Sequence, residues 1–417
     1  MKKFLISAAV AAAAMSAVAA ATISDVIVRQ QWPWSGKVHI DYVLSDPDDG
    51  VHDIDVVLRN GENVIDGRYG SLTGDLIGVR RGARRIVWDP SFGGATYADK
   101  VMTDFTVTLS VAEDAASYMV IDLSGGAGAD SFPVTFANRP PEGGWNQNVY
   151  KTTKLVLRRI PAGSFIMGSP EDELGRIATR ETQHKVTLTN DFYIGIFEIT
   201  QAQYSNMVHT VTEYSAGESG SAIAANNLTV GILRGEETMS DANYKKYTEG
   251  SVLGLFNAKF SFDGEYADYV FDLPTMSQWE YACRAGVTAA LNDGNNITNV
   301  DKDVNVGNIA WYRHNTGLSI KTCGGKPANA YGLYDMHGNV SELCLDKSKG
   351  SNSAYWWTTD ALVEPLCVPD RWFWPKGVTK GGHAQYNASL CRSASVGTPD
   401  SCTGFRIAFV RDRFAVP

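Results

Sequence analysis

Between Thr22 and Asn138 apolar residues recur at every second position in short runs: Val38, Ile40, Tyr42 and Leu44, then Ile54, Val56 and Leu58, then Phe105, Val107, Leu109 and Val111. Successive side chains leave a strand on opposite faces, so a period of two builds sheets with one face inward and one wet, and is incompatible with an amphipathic helix. Asp48-Asp49-Gly50, Asn60-Gly61 and Gly93-Gly94 punctuate these runs as hairpin turns do. The expectation is an all-β sandwich over residues 22–138. The stretch contains no Cys and two His, His39 and His52. Neither sits in a pattern that carries chemistry, so the region reads as an accessory module.

Residues 139–150 gather Pro140, Pro141, Gly143 and Gly144 among polar residues, which reads as a linker. From 151 to 417 the texture changes. Short strands (Lys154 to Ile160, Lys185 to Leu188) and helices (Thr200 to Met207, Ser277 to Arg284) stand between long stretches rich in Gly, Asn and Asp. Thr200 caps the first helix, with Ala202, Tyr204 and Met207 spaced to face inward. Thr275 or Ser277 caps the second, whose Trp279, Ala282 and Cys283 share a face. Loops this long need pins, and ions or disulfides are the usual ones.

Lys2 and Lys3 precede an Ala-rich apolar run from Phe4 to Val18, followed by small residues at Ala17-Val18-Ala19 or Ala19-Ala20-Ala21. This is the pattern of a bacterial secretory signal peptide over residues 1–21, and implies a periplasmic, cell-surface or extracellular protein. No later apolar run is long enough for a membrane span. A net charge of −9 and the lack of any Lys/Arg block argue against nucleic acid or an anionic membrane as partner. Arg80-Arg81 and Arg84-Arg85 read as a solvated strand edge. Six cysteines, at 283, 323, 344, 367, 391 and 402, fall in the last third, without CxxC or Cys/His zinc spacing. In an exported chain they read as disulfide staples whose pairing the residues alone leave open. No phosphate loop, HExxH or Ser/His/Asp pattern occurs.

The run Asn329 to Cys344, NAYGLYDMHGNVSELC, has neither helical nor strand periodicity. Its glycines and short polar residues mark a sharply bent loop, in which Asp335 and Glu342 either accept backbone amides or hold a cation. It is one of several ordered segments: Ile160-Pro161-Ala162-Gly163-Ser164-Phe165-Ile166-Met167-Gly168-Ser169; Glu198-Ile199-Thr200 with Gln203-Tyr204; Leu273-Pro274-Thr275 with Trp279-Glu280-Tyr281-Ala282-Cys283-Arg284; Lys380-Gly381-Gly382; and Gly404-Phe405-Arg406. Together, over about residues 154–411, they resemble the sulfatase-modifying-factor family, whose activity is that of the formylglycine-generating enzyme. The resemblance implies a loop-rich α+β domain of C-type-lectin-like fold. It implies a structural Ca²⁺ held by the carboxylates of Asp335 and Glu342 and the carbonyls of Gly338 and Val340. A second Ca²⁺ site would use Asn308 and the carbonyl of Ile309. It also implies a Cys283–Cys391 disulfide.

The active enzymes hold Cu(I) on two cysteines five residues apart, and with O₂ convert a sulfatase cysteine to formylglycine. No two cysteines here have that spacing. The segment from Gly381 to Cys391 carries one thiol, Cys391, which the resemblance places at the disulfide position; Tyr386 stands where one copper thiol should be, and His383 replaces the usual Ser. Gly338-Asn339-Val340-Ser341-Glu342-Leu343 lacks both indoles of the family pattern. The expectation is a calcium-stabilised, non-oxidase binding module with no catalytic residue and a protein, peptide or glycan ligand. The alternative is a formylglycine-generating oxidoreductase with a non-standard copper site. His337, or His383 with Tyr386, is a candidate metal ligand, against the plainer reading of a satisfied polar residue. Tyr355-Trp356-Trp357 and Trp372-Phe373-Trp374 are candidate ligand-stacking clusters, and Trp311 reads as core.

Overall fold

The computed structural model describes residues 21–30, 36–47, 52–65, 72–76, 79–90, 104–111, 117–208, 220–235, 247–347, 358–366 and 377–414. The chain is mostly β, with few and short helices. Residues 1–20, which carry the expected leader, lie outside the described residues, as do Cys367, the Trp356 and Trp372 clusters, and the turns at 48–50 and 93–94.

The period-two segments become strands. Thr22–Gln30, Val38–Ser45, Gly82–Trp88 and Leu72–Gly74 form one antiparallel sheet in that order. Ile54–Asn60 pairs with Asn63–Ile65 and Phe105–Val111 in a second. Val38, Ile40, Tyr42, Leu44, Ile86 and Trp88 from the first sheet meet Ile54, Leu58, Ile65 and Val107 from the other in one apolar cluster. Gly61 supplies the left-handed residue of the Asn60-Gly61 turn, at φ 59°. The basic residues are engaged within the module: Arg85 pairs with Asp41 across the strands at 2.5 Å, and Arg84 donates to the carbonyls of Arg80 and Arg81.

The remainder is built on a six-stranded antiparallel sheet, in the order Tyr269–Asp272, Ala408–Arg411, Phe192–Gly195, Lys154–Ile160, Tyr118–Asp122 and Val134–Ala137. Its inner strands Phe192–Gly195, Lys154–Ile160 and Tyr118–Asp122 are covered on both faces. Leu155, Leu157, Met119 and Ile121 face one core, and Val156, Tyr118 and Val120 face the other. Double burial explains why these segments lack clean alternation. Tyr118–Asp122 and Val134–Ala137 precede the expected linker, so this sheet spans it. The linker is itself packed: Trp145 is buried, 5.0 Å from the Tyr118 ring and 4.9 Å from that of Tyr150.

Both expected helices are capped from sequence. Thr200 and Thr275 accept the amides of Gln203 and Gln278, whose side chains return the bond to the cap amide, closing capping boxes on Gln201–Met207 and Met276–Arg284. Trp279, Ala282 and Cys283 are fully buried, as are Tyr204 and Met207, with Ala202 half-buried. A three-stranded sheet positions the site. Ser341–Lys347 lies between antiparallel Gly377–Lys380 and parallel Thr403–Gly404. It thereby gathers the bent loop, the Gly381-Gly382 turn and Asp400 at one end. Among the described residues no helix is long and apolar enough to cross a membrane.

Candidate functional site

The run Asn329 to Cys344 is bent by left-handed residues at Gly332 (φ 78°), Asp335 (54°), Gly338 (81°) and Asn339 (58°). At Gly338 nothing larger fits, because a Cβ would lie 2.1 Å from the Trp311 carbonyl oxygen. Side-chain amides tie the bends. Asn329 Oδ1 accepts the N–H groups of Tyr331 and Leu333, and its Nδ2 donates to the carbonyls of Ala282 and Cys283. Asn339 donates to Glu198 Oε2 at 2.6 Å and accepts the Lys321 amide at 2.8 Å.

Glu342 is committed elsewhere. The Arg406 guanidinium forks onto it, with Nη2 2.8 Å from Oε1 and Nε 3.0 Å from Oε2, and Trp279 Nε1 donates to Oε2 at 2.7 Å. All three side chains are buried. Both oxygens face a cation already in place, so Asp335, Gly338, Val340 and Glu342 do not fit Ca²⁺ as a set. The Val340 amide instead donates to Glu198 Oε1 at 3.0 Å. Asn308 is exposed on the helix Val304–Ile309, whose Ile309 is buried.

Asp335 is different. Its Oδ2 accepts the Gly324 amide at 2.5 Å, while its buried Oδ1 has no partner. One ligand atom each from Asp335, Glu198 and Cys323 lies within 4.8 Å of the others, and Cys323 Sγ is 3.4 Å from Glu198 Oε2. Burial, then the neighbouring Asp335 and Glu342 carboxyls, push Glu198 well above the usual carboxylate range. Burial lifts Asp335 to about 6 against the pull of the Gly324 amide. Such a group holds protons or a cation.

The second cluster follows the Gly381-Gly382 turn, whose residues are left-handed at φ 88° and 71°. His383 Nδ1 accepts the Gln385 amide at 3.1 Å, which leaves the ring proton on Nε2, donating to Asp400 Oδ2 at 2.9 Å. Tyr386 O–H donates to the same oxygen at 3.2 Å, and the two rings lie 3.5 Å apart. Burial raises the Asp400 pKa, but the bonds from His383 outweigh it and hold the carboxyl below its ordinary value. Burial and then Asp400 push Tyr386 up to about 12, so its hydroxyl stays a donor. Cys402 completes a metal-capable trio with His383 and Asp400. The imidazole, however, presents an N–H, and the cluster satisfies itself by hydrogen bonding. Tyr386 also lines a cavity of about 150 Å³ with Arg180, Thr379, Ser395 and Thr398.

Cys283, Cys323, Cys344, Cys391 and Cys402 are all buried free thiols, so the expected Cys283–Cys391 bridge is not formed. His337 engages both residues. Its Nε2 lies 3.8 Å from Cys283 Sγ, and its Nδ1–H donates to the Cys391 carbonyl at 2.7 Å. Burial pushes the thiols of Cys283 and Cys391 up to about 12 and that of Cys402 to about 11. Cys323 and Cys344 are raised well above the usual thiol range by the same cause.

Trp311 is half-buried, with Lys326 Nζ 4.4 Å from its ring centroid. Glu198 and Arg406 sit in segments whose motifs are visible in sequence, yet nothing local shows what they touch. Cys323 and Arg180 carry no sequence signal at all.

Residues 146–411 match the family described as the sulfatase-modifying factor enzyme 1-like domain. The formylglycine-generating enzyme of Thermomonospora curvata is 35% identical over 160 residues, covering 33% of this chain and 48% of that protein. The chain thus spans about half the length of that relative. The Mus musculus formylglycine-generating enzyme is 28% identical over 301 residues, covering 61% of this chain and 75% of that one. Among solved structures, Treponema denticola variable protein 1 aligns at a TM-score of 0.44 and 21% identity, over 61% of this chain and 95% of that one.

Proposed function

Because the chain belongs to the sulfatase-modifying factor enzyme 1-like family, we propose that it is an exported, non-oxidase binding module of that family. In this reading a β-sandwich accessory module is followed by a C-type-lectin-like domain, whose main sheet includes the strands Tyr118–Asp122 and Val134–Ala137, and which takes a protein, peptide or glycan ligand at the Tyr386 cavity. One observation carries it. Every cysteine among the described residues is buried, and burial raises each thiol above its ordinary range, whereas a copper ligand must be a reachable thiolate. The cavity is lined by Arg180, Tyr386, Thr379, Ser395 and Thr398, residue types that suit a polar ligand group bearing hydroxyls or a carboxylate. A divalent cation at Asp335 belongs to the reading as a stabiliser, with Glu342 withheld by Arg406.

The second reading, formylglycine generation, is favoured by the activity named for the two relatives. Anaerobic Cu(I) titration, with oxidation assayed on a Cys-x-Pro-x-Arg sulfatase peptide, separates the two. The binding-module reading expects neither tight copper uptake nor peptide oxidation, and turnover at ordinary enzymatic rates would sink it. Screening peptides and glycans against wild type, Arg180→Ala and Tyr386→Phe then identifies the ligand class.

A further inference from the structure

The orphaned oxygen of Asp335 singles out one place in the molecule. Three carboxyls, Glu198, Asp335 and Glu342, are buried together, and Arg406 engages Glu342. Of the nearby lysines, Lys151 Nζ bonds Asn146 Oδ1 at 2.9 Å and the Cys323 carbonyl at 3.3 Å, and Lys326 Nζ is turned to the Gly307 carbonyl. Glu198 has both oxygens turned toward donors, yet Asp335 Oδ1 has none, and an unpaired buried acceptor is costly. Gly324 is left-handed and tightly enclosed: a Cβ there would lie 2.5 Å from Asn146 Oδ1 and 2.8 Å from the Phe197 ring. This close packing sets its amide on Asp335 Oδ2 and leaves Oδ1 without a partner.

We propose that Glu198, Asp335 and Cys323 form a buried oxygen, oxygen, sulfur site for one divalent cation of the zinc class. The inference rests on the reading of Asp335 as a cation ligand and replaces Glu342 by Glu198 and Cys323. Ca²⁺ takes six to eight oxygens and no sulfur, and this corner offers two carboxyls and a thiol. Zn²⁺ is satisfied by about four ligands of mixed N, O and S type. Binding releases the Cys323 proton to solvent, and the thiolate becomes the third ligand.

The test uses the full-length chain, stripped by chelator while unfolded and reduced, then refolded with one equivalent of Cd²⁺, Zn²⁺ or Ca²⁺. The expected result is one Cd²⁺ retained per chain with a thiolate-to-cadmium absorption band, and a Tm raised more by Zn²⁺ than by Ca²⁺. Cys323→Ser should abolish the band and weaken Zn²⁺ retention at least about ten-fold, while Cys402→Ser leaves both intact. A wild-type protein without the band overturns the site and needs no variant to fold. So does a band that follows Cys402, which places the metal at His383 and Asp400, or stabilisation by Ca²⁺ alone. None of these outcomes touches the copper and peptide-oxidation result, so the two readings fail separately.

Discussion

The two halves of this protein bury different things. The core of the first module is chiefly apolar, from Val38, Ile40, Tyr42 and Leu44 to Ile86 and Trp88, with buried Asp46 held by His52 at 2.9 Å at its margin, and its Asp41–Arg85 pair stays on the wet face. The second half buries ion pairs instead: Arg406–Glu342, Arg392–Glu181, Lys380–Glu280 and Arg234–Asp272. Regular sheets satisfy their own backbone, so their cores can be dry. An irregular chain leaves carbonyls without ladder partners, and long cationic side chains reach them. Arg406 donates to the carbonyls of Gly195 and Tyr334, Arg284 to those of Gly168 and Ala289, and Arg392 to those of Gly175 and Ser389. The buried guanidiniums do for the loops what strand pairing does for the sandwich-like half.

The comparison can be broken most forcefully at Arg406. Arg406→Met leaves Glu342 buried without its counter-charge and two carbonyls unserved, at a cost of about 3–5 kcal/mol. In urea unfolding followed by near-UV circular dichroism the loss should fall on the second half alone. An equal shift of both transitions would show that the halves are not separate cooperative units. Leu58→Ala is the converse: truncating a fully buried Leu should cost about 3 kcal/mol and move only the first transition. At the seam, Asp53 accepts from buried Arg158 at 2.6 Å. Asp53→Asn removes a charge-assisted bond worth about 1.5–3 kcal/mol, and sharpens the comparison by showing which transition the seam supports. The smallest effect concerns Asp400. Its pKa is lowered in the fold, so its contribution is present above the ordinary carboxylate value and is lost as pH falls through the lowered one. Asp400→Asn should remove that acid-side slope from Tm measured against pH, lowering the neutral-pH Tm slightly and leaving the Tm at the acid limit unchanged.

Local order was readable residue by residue. The strands Val38–Ser45, Ile54–Asn60 and Phe105–Val111 follow from period two, and the Thr200 and Thr275 caps from the choice of a hydroxyl before a helical face. The bend at Asp335, Gly338 and Asn339 follows from residue types that tolerate positive φ. Two expectations depended on what lies across the fold. The Cys283–Cys391 pairing meets His337, which engages both residues, and Glu342 meets Arg406 before it can meet a cation.

Sequence alone therefore determined where the backbone turns and caps and which residues face inward, because those choices are made within a few residues by sterics and hydrogen bonding. It also marked the family through ordered motifs. Tertiary structure alone decided the partners of the buried charges: Glu198 beside Asp335 and Cys323, Arg406 on Glu342, and His383 and Tyr386 on Asp400. The reason is physical. Burial raises the energy of every unpaired charge, and which distant residue relieves it depends on how the sheets bring the loops together, information that no local stretch of chain contains.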